Sequence, residues 1–135
     1  MIVSSHEAVM VEEVLENLVF KNNGTYVDCT FGAGGHSLEI LKKLDSLGSL
    51  VSFDKDIQAT LNLPIEFIGE TRFKLINDSF SNIKKYFKND SIDGVLIDLG
   101  ISSTQLDDAR RGFSFQSDGP LDMRIDATKG ITARD

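Results

Sequence analysis

The feature that most constrains this chain is a group of three glycines, Gly32, Gly34 and Gly35, between two segments of different periodicity. Residues 26–31 are β-prone and mostly apolar, which is typical of a short buried strand. Residues 37–47 carry leucine or isoleucine at positions 38, 40, 41, 44 and 47, which is the spacing of a helix. The glycines are therefore predicted to form a turn from a strand into a helix, as in α/β folds.

Such a glycine turn can bring backbone N–H groups close to a polar or anionic ligand, since no Cβ stands in the way. The dinucleotide-binding fingerprint requires glycine at the first, third and sixth positions. Counted from Gly32, the sixth position is Ser37, and the lysine of a phosphate-binding loop is missing too. The turn thus fits a cofactor without phosphate, such as S-adenosylmethionine. Glycines that serve only a tight chain reversal would give the same pattern.

A carboxylate follows one strand later. Residues 50–54 form a β-prone run that ends in Asp54, which lies 22 residues after Gly32. An acidic residue that binds ribose hydroxyls is found at about this spacing. The intervening helix is long enough for a right-handed crossover, so both loops are expected at one edge of a parallel sheet. The alternative for Asp54 is a turn or N-cap residue before Asp56.

Predicted strands and helices continue to alternate along the chain. An amphipathic helix is predicted within residues 1–18, further helices at 56–63 and 81–87, and further strands at 72–76 and 92–99, the last being the clearest buried strand. The four strands predict a parallel α/β sheet. Phe80, after the third strand, is expected to cover a nucleoside base or to join the core. Asp98, at the end of the fourth, is expected to accept a hydrogen bond from a substrate or cofactor amine.

Composition limits the partners of the chain. The formal charge of −7 over 135 residues argues against binding nucleic acid through a general basic field. The sequence shows neither a signal-peptide pattern nor an apolar run of about 18 residues, so a cytoplasmic location is expected. Cys29, the single cysteine, is predicted to be a buried strand residue rather than a nucleophile. No ligand spacing predicts a metal site.

Residues 101–124 are polar and glycine-containing, with aromatic residues but no clean periodicity. Long irregular segments of this kind are usually functional or disordered. The apolar residues Phe113, Phe115, Leu121 and Met123 argue against a solvated tail. We therefore predict that the segment after residue 100 is a functional loop.

Several motifs together point to one family. They are His-Glu-Ala-Val at 6–9, Asp-Cys-Thr-Phe-Gly-Ala-Gly-Gly-His-Ser at 28–37, Asp54, Asp-Leu-Gly-Ile-Ser-Ser at 98–103, Gln-Leu-Asp at 105–107, Arg-Gly-Phe-Ser-Phe at 111–115 and Gly-Pro-Leu-Asp-Met-Arg at 119–124. In these the chain resembles the bacterial cytosine N4-methyltransferases of small-subunit ribosomal RNA, the MraW or RsmH family. The resemblance implies a class I methyltransferase fold with strand order 3-2-1-4, S-adenosylmethionine as cofactor, and ribosomal RNA as substrate.

The resemblance also implies roles for single residues. The methionine end of the cofactor would be held by Gly34, Gly35 and His36, beside the turn residue Gly32. Asp54 would bind the ribose, Phe80 would contact the adenine, and Asp98 and Gln105 would complete the cofactor pocket. Asp98 is the candidate catalytic residue, which either polarises the cytosine amine or contacts only the cofactor. The target base would be single-stranded or flipped out, with Phe113 or Phe115 as a stacking partner.

Members of the resembled family are about twice as long as this chain and carry a helical insertion after the fourth strand. The resemblance thus implies that residues 1–100 form the N-terminal half of the methyltransferase domain and that residues 101–135 form an active-site loop and the start of the truncated insertion domain. The resemblance therefore implies a fragment that is inactive by itself, with an open fourth strand that pairs with a second copy, either at that edge or through residues 101–123. Two other functions stay open at this point. One is a non-catalytic module that binds S-adenosylmethionine or a nucleoside, and the other is a methyltransferase that acts on a different amine.

Overall fold

The computed structural model of the protein describes residues 10–101 and 103–135. Within them, the strands are β1 (Thr25–Asp28), β2 (Ser49–Phe53), β3 (Phe73–Ile76) and β4 (Gly94–Leu96). The α-helices are α1 (Val11–Leu18), α2 (Gly35–Lys43), α3 (Ile57–Leu61) and α4 (Ser103–Asp107). Short 3₁₀ helices lie at Ile65–Phe67, Phe80–Lys85 and Ala109–Arg111. None of the helices in these two ranges is long and apolar enough to span a bilayer.

The strands form one parallel sheet in the order β3-β2-β1-β4. At its centre, Tyr26 lies opposite Leu50 on one side and Gly94 on the other. This confirms the predicted α/β class and the predicted strand order. Because all the strands run the same way, their carboxyl ends meet at one edge of the sheet, where ligands bind in open α/β folds.

The two faces of the sheet carry separate apolar clusters, since successive strand residues point to opposite faces. One cluster lies beneath α1 and α2 and contains Tyr26, Phe31, Ile40, Leu41, Leu44, Leu50 and Phe67. The other lies beneath the 3₁₀ helix after β3 and contains Val27, Cys29, Phe53 and Ile76. Ile40 is fully buried, so replacing it with alanine is expected to cost about 2–5 kcal/mol.

The prediction that residues 92–99 form the clearest buried strand is wrong. The strand covers only Gly94–Leu96, and Val95 and Leu99 are 44% and 74% exposed. Within the described residues β4 pairs with β1 alone, so it is an edge strand with one open side, as the family resemblance implied. An apolar run reports which side chains can be buried, but it does not report how many neighbours a strand has.

Several predicted helices differ in length or type. The first helix is seen over Val11–Leu18, and residues 1–9, including His6 and Glu7, lie outside the described residues. The predicted helix over 81–87 is a 3₁₀ helix over Phe80–Lys85, and Ser79 caps it by accepting the amide of Ser81. Helix α3 stops at Leu61, two residues before the predicted end.

The C-terminal segment, residues 108–135, folds back on itself with little regular structure. The amide of Met123 donates to the carbonyl oxygen of Arg111 at 2.9 Å, and the amide of Ala133 donates to that of Asp122 at 2.7 Å. Gly112 has φ +74°, and a Cβ there would overlap the carbonyl oxygen of Pro120. Glycine is therefore required where the two halves of the segment meet.

Candidate functional site

A cavity of about 470 Å³ opens at the carboxyl edge of the sheet, within the usual size range of small-molecule sites. Its walls come from the glycine turn, the loops after β2, β3 and β4, helix α4 and the C-terminal segment. Seven of the predicted site residues line it, namely Gly32, Gly35, His36, Asp54, Phe80, Asp98 and Gln105. Gly34 is the exception.

The glycine turn is shaped by two residues with positive φ. Gly32 has φ +56° and lines the cavity, and a Cβ there would lie 3.9 Å from the carbonyl oxygen of Thr30. Gly34 has φ +89° and is the N-cap of α2, and a Cβ there would lie 2.9 Å from the rings of Phe31 and Phe67. Packing against these two rings thus explains why glycine is required at position 34. The predicted contact of Gly34 with the cofactor stays a prediction.

Asp54 connects the turn to the end of β2. One carboxylate oxygen accepts the amide of Gly32 at 2.9 Å, and the other accepts the amide of Asp56 at 2.8 Å. Burial raises the pKa of Asp54 above its usual value of 3.8, and these hydrogen bonds oppose the rise. The N-cap of α3 is Asp56, so the N-cap alternative for Asp54 is wrong, whereas the turn alternative is confirmed because Asp54 accepts the amide two residues ahead. Each oxygen keeps a second lone pair, which can accept a ribose hydroxyl.

Ser37 explains why the third glycine of the dinucleotide fingerprint is missing. Its fully buried hydroxyl donates to a carboxylate oxygen of Asp28 at 2.6 Å and lies 2.8 Å from the hydroxyl of Ser52. A side chain with a hydroxyl is needed here because it joins β1, α2 and β2 beneath the turn. Burial raises the pKa of Asp28, and the Ser37 bond opposes the rise.

Asp98 and His36 lie next to each other in the lining of the cavity. The Nδ1 atom of His36 lies 3.8 Å from a carboxylate oxygen of Asp98, whose side chain is half exposed. The amide of Asp98 donates to the hydroxyl of Thr30 at 2.7 Å. This contact fixes the chain after β4 against the chain after β1, so the Asp98 carboxylate is held at the mouth of the cavity.

Phe80 meets both of its predicted alternatives. It packs against the second apolar cluster and also lines the cavity. Cys29 is buried as predicted, and burial, with a smaller contribution from Asp28, raises the pKa of its thiol to about 11. The thiol is therefore neutral at physiological pH, which does not suit a nucleophile.

Sequence reasoning did not assign a role to Asp78, whose side chain lines the cavity after β3. Its carboxylate accepts hydrogen bonds from the side-chain amide of Asn82 and the hydroxyl of Tyr86, both at 2.8 Å, and these bonds hold its pKa below the usual value. The position of Asp78 just after a predicted parallel strand could have identified it as a site residue, as the same position did for Asp54.

The charges around the cavity favour a cationic ligand. Three carboxylates line it, those of Asp54, Asp78 and Asp98, against the single ammonium of Lys55. A pyrophosphate would meet net repulsion there, whereas a sulfonium or ammonium group would be attracted. Across residues 10–101 and 103–135, no group of three or more His, Cys, Asp or Glu side chains is placed to hold a metal ion.

A glycine turn after the central strand and a carboxylate after the next, on a 3-2-1-4 parallel sheet, define a nucleoside-binding fold of the class I methyltransferase type. Comparison with known families narrows this class. The MraW methylase family matches residues 3–135, and the chain belongs to that family. The family resemblance found in the motifs is confirmed.

Relatives of the chain carry one shared description, ribosomal RNA small subunit methyltransferase H. The protein from Buchnera aphidicola is 48% identical over an alignment of 137 positions. This alignment covers 95% of this chain and 42% of the relative. The protein from Herminiimonas arsenicoxydans is 49% identical over 134 residues, covering 95% and 41%. The chain thus spans less than half the length of these relatives.

Solved structures share the fold. A protein from Clostridium thermocellum superposes with a TM-score of 0.62 and 22% identity, covering 76% of this chain and 56% of that protein. An rRNA methylase from Streptococcus thermophilus gives a TM-score of 0.53, also at 22% identity, covering 67% and 52%. At this identity the likeness establishes the architecture alone.

Proposed function

We propose that this chain forms the cofactor-binding half of an S-adenosylmethionine-dependent methyltransferase that modifies the N4 amine of a cytosine in small-subunit ribosomal RNA. The observation that carries the proposal is the contact between the Gly32 amide and the Asp54 carboxylate. This contact joins the glycine turn to a carboxylate suited to accept ribose hydroxyls, beside a cavity with excess negative charge. Membership of the MraW methylase family supports the proposed reaction.

The cavity residues suit the parts of S-adenosylmethionine. The carboxylate of Asp54 accepts the ribose hydroxyls, Phe80 covers the adenine, and Gly35 and His36 hold the methionine end. When bound, the cofactor supplies an electrophilic methyl group on a positively charged sulfur. The excess of carboxylates stabilises that charge, which is consistent with the missing phosphate-binding lysine.

The remaining task is to position the amine of the base and to take up its proton. Asp98 is half exposed at the cavity mouth and is fixed through its own amide to Thr30, so its carboxylate can accept a hydrogen bond from the incoming amine. An amine attacks the methyl group directly, and a neutral, buried Cys29 is compatible with such a route.

Of the two aromatic candidates for stacking on the target base, the structure favours one. Phe113 is buried, and the guanidinium carbon of Arg111 lies 5.9 Å from its ring centre. Phe115 is fully exposed in the same segment. We assign base stacking to Phe115, because only an exposed ring can receive a flipped base.

The edge strand supports self-association of the isolated chain. Side chains at Val95, Ile97 and Leu99 are 44–74% exposed beside the unpaired edge of β4. Open edges with apolar side chains favour pairing with a second copy. Light scattering at high protein concentration tests this part of the proposal, and a clean monomer would contradict it.

Calorimetric titration of the chain with S-adenosylmethionine tests the cofactor. We expect saturable binding that Asp54→Ala abolishes. Asp45→Ala is the matched control, because it removes the same charge from an exposed loop residue outside the cavity. No binding by the wild-type chain would contradict the claim that these residues build the pocket.

The reaction is tested on a protein of the relatives' full length, with small-subunit ribosomal RNA as substrate and N4-methylcytosine measured by mass spectrometry. Methylation of cytosine N4 supports the proposal. Binding of the cofactor without transfer would instead indicate a non-catalytic module, and transfer to another amine would indicate a different substrate.

A further inference from the structure

Asp56 brings together three elements of the cofactor side of the fold. Its side chain is almost fully buried. One carboxylate oxygen accepts the amide of Gln58 at 3.0 Å and caps α3. The other accepts the side-chain amide of Gln105 and the guanidinium of Arg111, both at 2.9 Å. A single carboxylate thus joins the end of β2, helix α4 and the C-terminal segment.

Arg111 continues the connection into the C-terminal segment. Its side chain is only 13% exposed, and a second guanidinium nitrogen donates to the carbonyl oxygen of Ile125 at 2.7 Å. Ile125 and Gln105 both line the cavity. The part of the cavity lining formed by Gln105 and Ile125 is therefore held through Asp56 and Arg111, whose opposite charges balance each other.

Asp56 is also linked directly to the proposed ribose acceptor, because its amide donates to the carboxylate of Asp54 at 2.8 Å. A movement of Asp56 would therefore act on Asp54 as well as on Gln105 and Arg111. Breaking a buried ion pair by removing one partner is strongly destabilising, since a charge is left buried without a counter-ion. The pair connects positions 55 residues apart, so local sequence cannot maintain it.

We propose that the Asp56–Arg111 ion pair is a positioning device for the cofactor, which holds the C-terminal segment against the Asp54 side of the cavity. This inference rests on the proposed function. Neither residue contacts the cofactor in this scheme. Asp56 acts through Asp54 and Gln105, and Arg111 acts through Ile125. Loss of the pair would withdraw one wall while leaving the contact between Gly32 and Asp54 intact.

The first test is the affinity of the 135-residue chain for S-adenosylmethionine, measured by calorimetry. Arg111→Met is expected to raise the Kd about tenfold or more, and Asp56→Asn to have a similar effect. The double variant is expected to bind no more weakly than the weaker single variant, because the two side chains act as one unit. Arg111→Lys should recover part of the affinity, since one ammonium cannot reproduce both contacts of the guanidinium.

Arg110→Met is the matched control. Arg110 pairs with Asp108 at 2.9 Å, but its side chain is 89% exposed and its partner lies two residues away. The same change of side chain and charge there should leave the Kd unchanged. An equal loss in Arg110→Met would show that net charge, rather than the buried pair, determines affinity, and would overturn the inference.

Hydrogen exchange separates positioning from general destabilisation. In the wild-type chain, bound S-adenosylmethionine should protect the amide of Gly32 and the amides of residues 103–125 together. In Arg111→Met at saturating ligand, protection should persist at Gly32 and be lost over 103–125. A wild-type Kd and a wild-type protection pattern in Arg111→Met would overturn the inference while leaving the proposed function standing. Failure of the wild-type chain to bind would overturn both.

Discussion

The amide of Gly32 donates to the carboxylate of Asp54 at 2.9 Å, which ties the turn after β1 to the end of the neighbouring strand. The left-handed conformation of Gly32 directs this amide, and the crossover through α2 brings Asp54 within reach. Turn and carboxylate are therefore one unit, although 22 residues separate them.

Gly32→Ala is expected to weaken S-adenosylmethionine binding by at least tenfold, because its φ of +56° strains any side chain and its Cβ would occupy the cavity wall. Gly69→Ala is the matched control, since Gly69 has φ +75° and open space around it, away from the cavity. Both variants should lose about 1–2 kcal/mol of folding free energy. Calorimetry and urea denaturation measure the two effects, and equal loss of binding in both variants would contradict the assignment.

Asp28→Asn is expected to flatten the pH dependence of stability. Burial raises the pKa of Asp28 in the folded chain above 3.8, so its contribution to stability is complete below pH 3.8 and is lost as pH rises through the folded value. The asparagine side chain of the variant cannot ionise and lacks this loss, while Asp54, whose pKa is also raised, leaves part of the slope.

Ser37→Ala should make the pH dependence of stability steeper, because it removes the hydrogen bond that opposes the rise in the pKa of Asp28. The loss of folding free energy, about 1–3 kcal/mol, should be larger at neutral pH than at about pH 4. Urea denaturation across this range tests both variants. A loss in Ser37→Ala that does not vary with pH would show that Asp28 is not involved.

Arg72→Met is expected to remove a contribution to stability that is lost as pH falls, the opposite of the pH dependence expected for Asp28. Hydrogen bonds from Arg72 lower the pKa of Glu70 to about 2, so this contribution is complete above pH 4.5 and is lost as pH falls towards 2. The Arg72 guanidinium also donates to the carbonyl oxygens of Leu41 and Leu44 at the end of α2.

We expect Arg72→Met to lose about 1–3 kcal/mol at about pH 7 and less at about pH 2.5, measured by urea denaturation. Lys42→Met is the control, because Lys42 makes only an exposed pair with Glu39 and should lose under about 0.5 kcal/mol. An equal loss in Arg72→Met at both pH values would mean that the carbonyl contacts, rather than Glu70, account for the effect.

The two phenylalanines of the C-terminal segment should separate stability from RNA recognition. Phe113→Ala is expected to cost about 3–5 kcal/mol, since its ring is buried against Arg111. Phe115→Ala should leave the free energy of unfolding unchanged, because the ring is exposed, and should reduce RNA methylation by a full-length protein. Unchanged methylation in Phe115→Ala would remove its stacking role.

The fold could be predicted from the sequence because its evidence is local. Apolar periodicity places β1 and α2, and the glycines between them mark the turn. The strand order came from the family resemblance and is confirmed. The extent of β4 was misjudged because the apolar run continues past the three residues that pair with β1, although the position of β4 at the sheet edge was expected from the resemblance.

The candidate site was predicted only in part, because some of its contacts join residues that are far apart in the sequence. Asp54 and Asp98 lie at the carboxyl ends of parallel strands, where ligands bind in open α/β sheets, so their position in the sequence predicts a place in the site. The link from Asp56 to Arg111 spans 55 residues, and no periodicity connects two such positions. The need for Gly34 to make room for two aromatic rings also depends on packing in three dimensions.

The central position of β1 has a consequence for synthesis on the ribosome. The amide of Thr25 donates to the carboxylate of Asp93, 68 residues later, and β1 pairs along its other side with β2. At about 5–20 residues per second, the nascent chain carries β1 without its β4 partner for roughly 3 to 14 seconds. Chaperones that bind apolar nascent segments are therefore expected to act in this interval, before the sheet is complete.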